Sequence, residues 1–105
     1  MPVEITARHM QHAEGVQEHA RSKGEALVSA FPRVEHVHVI LEIERHRNIA
    51  KVVVQAKNHP RVEADEASAD MYKSVDLAFE RVEKQLRKEH DRVHDHRPGA
   101  RETAS

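Results

Sequence analysis

The sequence predicts an α+β fold of order β-α-β-β-β-α, and three observations carry that prediction. Short stretches alternate apolar and polar residues with a period of two, two longer stretches repeat apolar residues at helical spacing, and polar turn-forming clusters separate them. Assembled, they give a four-stranded, mainly antiparallel sheet with both helices packed on one face. The opposite sheet face must then be polar.

The first strand is PVEIT (2–6), with Val3 and Ile5 on one side. From about Glu14 to Phe31, Val16, Ala20, Leu27 and Phe31 recur at helical spacing, and Pro32 stops that helix. Gly24 sits in its middle and weakens it by roughly 1 kcal/mol relative to Ala. The segment VEHVHVILEIE (34–44) is a strand with Val37, Val39, Leu41 and Ile43 on one face. His36, His38, Glu42 and Glu44 lie on the other, with Ile40 among them. RHRN (45–48) fits a hairpin turn, IAKVVVQAK (49–57) a third strand, NHP (58–60) a second turn and RVEADEA (61–67) an acidic edge strand. The second helix is expected from near Ser68, as N-cap with Asp70 in the first turn, to about Asp95. Residues 1–96 make one domain without internal repeats, and RPGARETAS (97–105) reads as a disordered tail.

With 105 residues the chain can bury only a modest core. There is no cysteine, which excludes disulfides, thiol nucleophiles and thiolate zinc sites and fits a reducing cytoplasm. The N-terminus lacks the apolar core of a signal peptide, and no apolar run approaches the roughly 18 residues of a membrane helix. A soluble, cytoplasmic protein with no membrane partner is expected. The net charge of −1 argues by itself against a nucleic-acid binder, but segregated charges escape that argument, and ten histidines make the balance pH-dependent.

On the second helix, at about 100° per residue, Met71, Val75, Ala78, Val82, Leu86 and Val93 form the packing stripe. Arg81, Lys84, Lys88 and Arg92 form a basic stripe beside it, with Lys73 near its upstream extension. Asp76, Glu80 and Glu83 fall on a third side. One reading is a solvated helix laced with ion pairs such as Glu80–Lys84. The other is a row of cations that tracks phosphates and releases counterions on binding. Arg45, His46 and Arg47 add a small basic cluster at the hairpin tip, close to Arg8 and His9 in the expected fold.

The alternative function is a histidine-rich metal-binding or metal-sensing module, through His90 and His94 at i, i+4 or His36 and His38 at i, i+2. No HExxH motif supports it, and solvated histidines account for both pairs. No enzyme is expected: there is no glycine-rich phosphate loop, and Ser22, Ser29, Ser68 and Ser74 lack any nucleophile motif. No cofactor and no small-molecule substrate are implied.

The segment DMYKSVD (70–76), following the acidic VEADEAS, resembles the signature of the ribosome hibernation-promoting factor and ribosome-associated inhibitor family. ITARH (5–9), AFPRV (30–34), EIERHRNIAKVVV (42–54) and RVEKQLRKEHDRVHDH (81–96) resemble other parts of the pattern in the same order, so the likeness spans about residues 3–96. Ala7, Gly24 and Lys73-Ser74 depart from it, and Gly24, where the family usually has a large apolar residue, implies a looser first helix. The resemblance implies the β-α-β-β-β-α fold and a non-catalytic protein. Its members bind the small ribosomal subunit in the mRNA and tRNA channel near the decoding site, and silence idle ribosomes in stress or stationary phase. It implies ribosomal RNA as partner, with Arg81, Lys84, Arg87, Lys88 and Arg92 on phosphates, then Lys23, Arg8, Arg45 and Arg47, and Lys73 as an added contact. Asp70 and Tyr72 match the motif and either share in binding or brace the helix start. If the chain is full length, the resemblance implies the short form, since long members carry a further domain that pairs ribosomes.

Overall fold

Alternating β-branched residues build the centre of the molecule, the hairpin of β2 (Val34–Glu44) and β3 (Arg47–Ala56). The computed structural model describes residues 2–10, 13–57 and 61–94, with side chains described as far as Lys88. Around the hairpin are β1 (Val3–Arg8), α1 (Glu14–Ala30), β4 (Val62–Ser68) and α2 (Met71–His94), in the predicted order. The sheet runs β1-β2-β3-β4. β1 pairs with β2 in parallel, which requires the α1 crossover, and the two remaining ladders are antiparallel.

Register places Val3, Val37 and Val54 in one row across the sheet, and Ile5, Val39, Val52 and Ala64 in the next. These side chains point toward the helices, with Val37, Val39, Leu41, Val52 and Val54 fully buried. α1 lies over β1 and β2, and α2 over β3 and β4. α1 contributes Val16, Ala20 and Leu27 to the core; α2 contributes Met71, Val75, Ala78, Phe79, Val82 and Leu86. The other sheet face carries Glu4, Thr6, His36, His38, Glu42, Lys51, Gln55, Glu63 and Asp65, with Ile40 and Val53 half-buried among them. One covered and one polar face is the usual economy of such a sheet.

Three local features differ from expectation. Ser68 ends β4 and is not the cap of α2. The cap is Asp70, whose Oδ1 accepts the Tyr72 N–H at 3.1 Å and whose carbonyl accepts the Ser74 N–H at 3.0 Å. The Ser68 hydroxyl instead supports that cap, accepting the Asp70 N–H at 3.2 Å. Gly24 does not loosen α1. It is buried, and a Cβ there would stand 2.7 Å from Val3 Cγ1, so the glycine is what lets α1 lie directly on β1. Phe79 joins the packing stripe of α2, whose breadth a strict i, i+3/i+4 count understates. Val93 and the histidines near the end of α2 have no described side chains, and the turn expected at 58–60 and the tail at 97–105 lie outside the described residues. Among the described residues, no helix is long and apolar enough to cross a membrane.

Candidate nucleic-acid interface

The three-sided character of α2 holds in three dimensions. Its buried side ends at Ser74 and Phe79, and from there the two flanks differ in sign. The flank toward α1 is acidic. His19 Nε2 donates to Asp76 Oδ1 at 2.7 Å, and Lys23 Nζ lies 3.6 Å from the same oxygen. Asp76, Phe79, Glu80 and Glu83 of α2 line a cleft of about 370 Å³ between the helices, with Lys23, Ala26 and Leu27 of α1 opposite. The flank toward β4 is basic. Arg81 donates to Glu66 of β4 at 2.6 Å, and Gln85 donates to the Glu63 carbonyl at 3.4 Å. Lys73, Lys84 and Lys88 are exposed and make no ion pair among the described residues.

The expected Glu80–Lys84 pair does not form; among the described residues the i, i+4 pair on this helix is Glu83–Arg87, at 3.5 Å. Lys84 and Lys88 are therefore left to solvent along the outer edge of α2. A lysine in this position keeps its charge and its reach, which is what a phosphate contact requires.

A second basic group gathers at one end of the sheet. Glu44 pairs with Arg47, which leaves Arg45 and His46 as a two-residue turn. Arg45 and His9 both have left-handed backbones, φ 57 and φ 56. Arg8 is aligned with Glu42 on β2, and His9 Nδ1 lies 3.6 Å from the Glu42 carboxylate. The start of α2 is tied to the same end, because the Ser74 hydroxyl donates to the Asn48 carbonyl at 2.7 Å and meets the Ser68 hydroxyl at 2.8 Å. Arg8, Arg45, Arg47 and Lys73 thus share one end of the molecule, and Lys84 and Lys88 continue from it along α2.

The other expected site residues separate from this surface. Lys23 sits across the interhelical cleft, engaged by Asp76. Arg81 and Arg87 are exposed but each is held by an acid, Glu66 and Glu83. The Arg92 side chain lies outside the described part of α2, as do those of His90 and His94. His36 pairs with Glu4 at 3.3 Å, and His38 Nε2 is hydrogen-bonded to the Thr6 hydroxyl at 2.9 Å. Among the described residues, no three metal-donor side chains converge.

The signature segment 70–76 acquires a physical account here. Asp70 caps the helix, Met71 and Val75 enter the core, and Ser74 ties α2 to β3. Tyr72 reaches over α1, its ring 5.2 Å from that of His19 and tilted by 58°, with its hydroxyl above Gly15. Asp76 holds His19 and Lys23. Lys73 is the member of the segment that points outward without a described partner. The His19–Asp76 contact joins residues 57 apart in sequence, and no local pattern announces it.

Residues 3–94 match the family model described as Sigma 54 modulation protein / S30EA ribosomal protein. The chain belongs to this family. The S30EA match begins with β1 and ends with α2, so it takes in all six elements. Relatives include the ribosome hibernation promoting factors of Salmonella typhimurium and Escherichia coli K12. Each is 25% identical over 96 residues, covering 91% of this chain and 100% of the relative. Solved structures with the S30EA fold include a ribosomal subunit interface protein from Coxiella burnetii, with a TM-score of 0.76 and 24% identity over 86% of this chain and 98% of that one. The N-terminal domain of Thermus thermophilus Protein Y gives a TM-score of 0.72 and 21% identity, over 84% and 98% of the two chains.

Proposed function

We infer that this protein is a ribosome hibernation factor. It binds the small ribosomal subunit in the mRNA and tRNA channel near the decoding site and inhibits translation by idle ribosomes under stress or in stationary phase. The observation that carries the reading is the end-to-end correspondence with relatives named ribosome hibernation promoting factor, over 100% of their length. The geometry supports it independently through the run of exposed cations from Arg45 and Arg47 past Lys73 to Lys84 and Lys88.

The mechanism is occupancy. A compact domain held on RNA phosphates fills space that tRNA and mRNA need, and no bond is made or broken. With three aromatic residues of the Phe, Tyr and Trp kind, the helix side offers little for base stacking, so it reads RNA shape and backbone. Ribosomal work places the protein in the cytoplasm. Co-sedimentation with ribosomes and with separated subunits at rising salt tests the reading. Binding to the small subunit that weakens steeply with salt, together with inhibition of a cell-free translation reaction, is expected. Absence of binding at the lowest salt would reject it.

A further inference from the structure

Of the three aromatic residues of the Phe, Tyr and Trp kind, Phe79 is buried, Phe31 is half-buried and only Tyr72 is exposed. Two large apolar side chains are exposed among the described residues, Tyr72 at 45% and Ile43 at 36%. Both lie at the end of the molecule where the run of cations begins. We propose that Tyr72 is a base-stacking residue: an unpaired base of the ribosomal RNA lies on its ring, with the neighbouring phosphates on Lys73 and Arg45. The proposal deepens the ribosomal reading and rests on it for the partner.

The ring is held without being covered. Its hydroxyl sits so close over α1 that a Cβ on Gly15 would stand 2.5 Å from it. His19 meets the ring at 5.2 Å with a tilt of 58°, which braces it without lying flat upon it. A stacking base needs such a fixed and open ring face, and every base has a face to offer it. Ile43 extends the apolar surface at this end. It points to the helix side of β2, one step beyond buried Leu41. It is aligned with Asn48, the residue to which Ser74 ties the first turn of α2.

The charge around the ring attracts phosphates with every histidine neutral. Lys73 follows Tyr72 in the chain and Arg45 forms the hairpin tip at the same end; neither has an ion-pair partner among the described residues. Of the acids nearby, Asp70 is taken up by the cap of α2, and Asp76 by His19 and Lys23. Glu42 and Glu44 lie on the open side of the sheet, aligned with Arg8 and Arg47. Glu14 at the start of α1 stands against Lys73 and Arg45 together. Lys84 and Lys88 continue the run along α2, so a strand whose phosphates follow that edge brings its bases to Tyr72 at the upstream end.

The chain has one tyrosine and no tryptophan, so its intrinsic emission reports on this ring alone. Titration with a ten-nucleotide single-stranded RNA, its binding read in parallel by anisotropy of a labelled copy, is expected to quench that emission at saturation, after correction for RNA absorption. Inorganic polyphosphate, which offers phosphates and no bases, is expected to bind without quenching. Tyr72→Leu is expected to weaken RNA binding about tenfold, and Tyr72→Phe, which keeps the ring, to stay within about twofold of wild type. Thermal melting of both variants checks that they fold, and the wild-type quench decides the matter if Tyr72→Leu does not. Lys84→Glu/Lys88→Glu is expected to bind more weakly yet to quench fully at saturation. RNA that saturates the protein and leaves the emission unchanged, or RNA that does not bind even at low salt, would overturn the stacking contact. Ribosome co-sedimentation separates the two conclusions. A folded Tyr72→Leu variant that sediments with ribosomes as tightly as wild type removes the stacking contact and leaves the ribosomal reading standing. Failure of the wild type to sediment with ribosomes removes the reading itself.

Discussion

Arg45 carries the clearest residue-scale tension in the molecule. Its left-handed backbone, φ 57, costs a side-chain-bearing residue roughly 1–2 kcal/mol that glycine would not incur. A turn optimised only for stability would place Gly or Asn there. If the Arg45 charge serves the proposed ribosome binding, replacing it should separate stability from binding. Arg45→Gly is therefore expected to raise stability by about 0.5–1 kcal/mol, after allowing for the entropy of the added glycine. It should also weaken ribosome binding, as read by thermal melting and co-sedimentation on the same preparation. Ser74 makes the opposite case. It is fully buried, and its hydroxyl satisfies the Asn48 carbonyl. Ser74→Ala is expected to lose on the order of 1–2 kcal/mol in denaturant unfolding, because the carbonyl keeps its desolvation without its partner. A loss below a few tenths would mean that water replaces the hydroxyl.

The arrangement of the two helices depends on one close approach and one polar clamp. Gly24 brings α1 onto Val3, and a methyl group at that position meets a β-branched side chain that cannot swing away. Gly24→Ala gains helix propensity of up to roughly 1 kcal/mol but overpacks the contact, typically at 1–3 kcal/mol. A net loss of about 1 kcal/mol is expected, and a melting temperature above wild type would contradict the close packing. The clamp is Asp76 with His19 and Lys23, all partly exposed. Solvent screens such pairs, so Asp76→Asn should lower stability by less than about 1 kcal/mol, with a difference that shrinks in high salt. Its more telling effect is on the cleft, since Lys23 is released from its partner.

Over the whole molecule, a net charge of −1 conceals a sorted surface. Acids face the interhelical cleft and much of the open sheet; lysines without an ion-pair partner among the described residues follow the outer edge of α2. Net charge bears on solubility, and the local pattern decides what a surface attracts. Lys73→Glu/Lys84→Glu/Lys88→Glu is expected to leave stability within about 0.5 kcal/mol of wild type, as exposed substitutions do. It should also flatten the salt dependence of ribosome binding by roughly 0.7–0.9 in slope for each lost phosphate contact. Unchanged affinity and slope would move the interface away from α2. A helical period and a heptad of charges were enough to mark this edge in the sequence. They could not tell that Arg81 belongs to Glu66, that Arg87 and not Lys84 takes the intrahelical pair, or that Lys23 faces the cleft.

Period-two and period-3.6 patterning, with Pro32 and the polar turns as punctuation, determined by itself the six elements, their order, the covered sheet face and the outward edge of α2. Those features follow from which side chains leave water, a property of neighbours along the chain. Only the tertiary structure decided that Asp76 meets His19 across 57 residues, that Gly24 admits Val3, and that Tyr72 settles over Gly15 of α1. These depend on strand register and on how closely a helix settles onto its sheet. Both are set by the packing of the whole core, and no local window of sequence contains them.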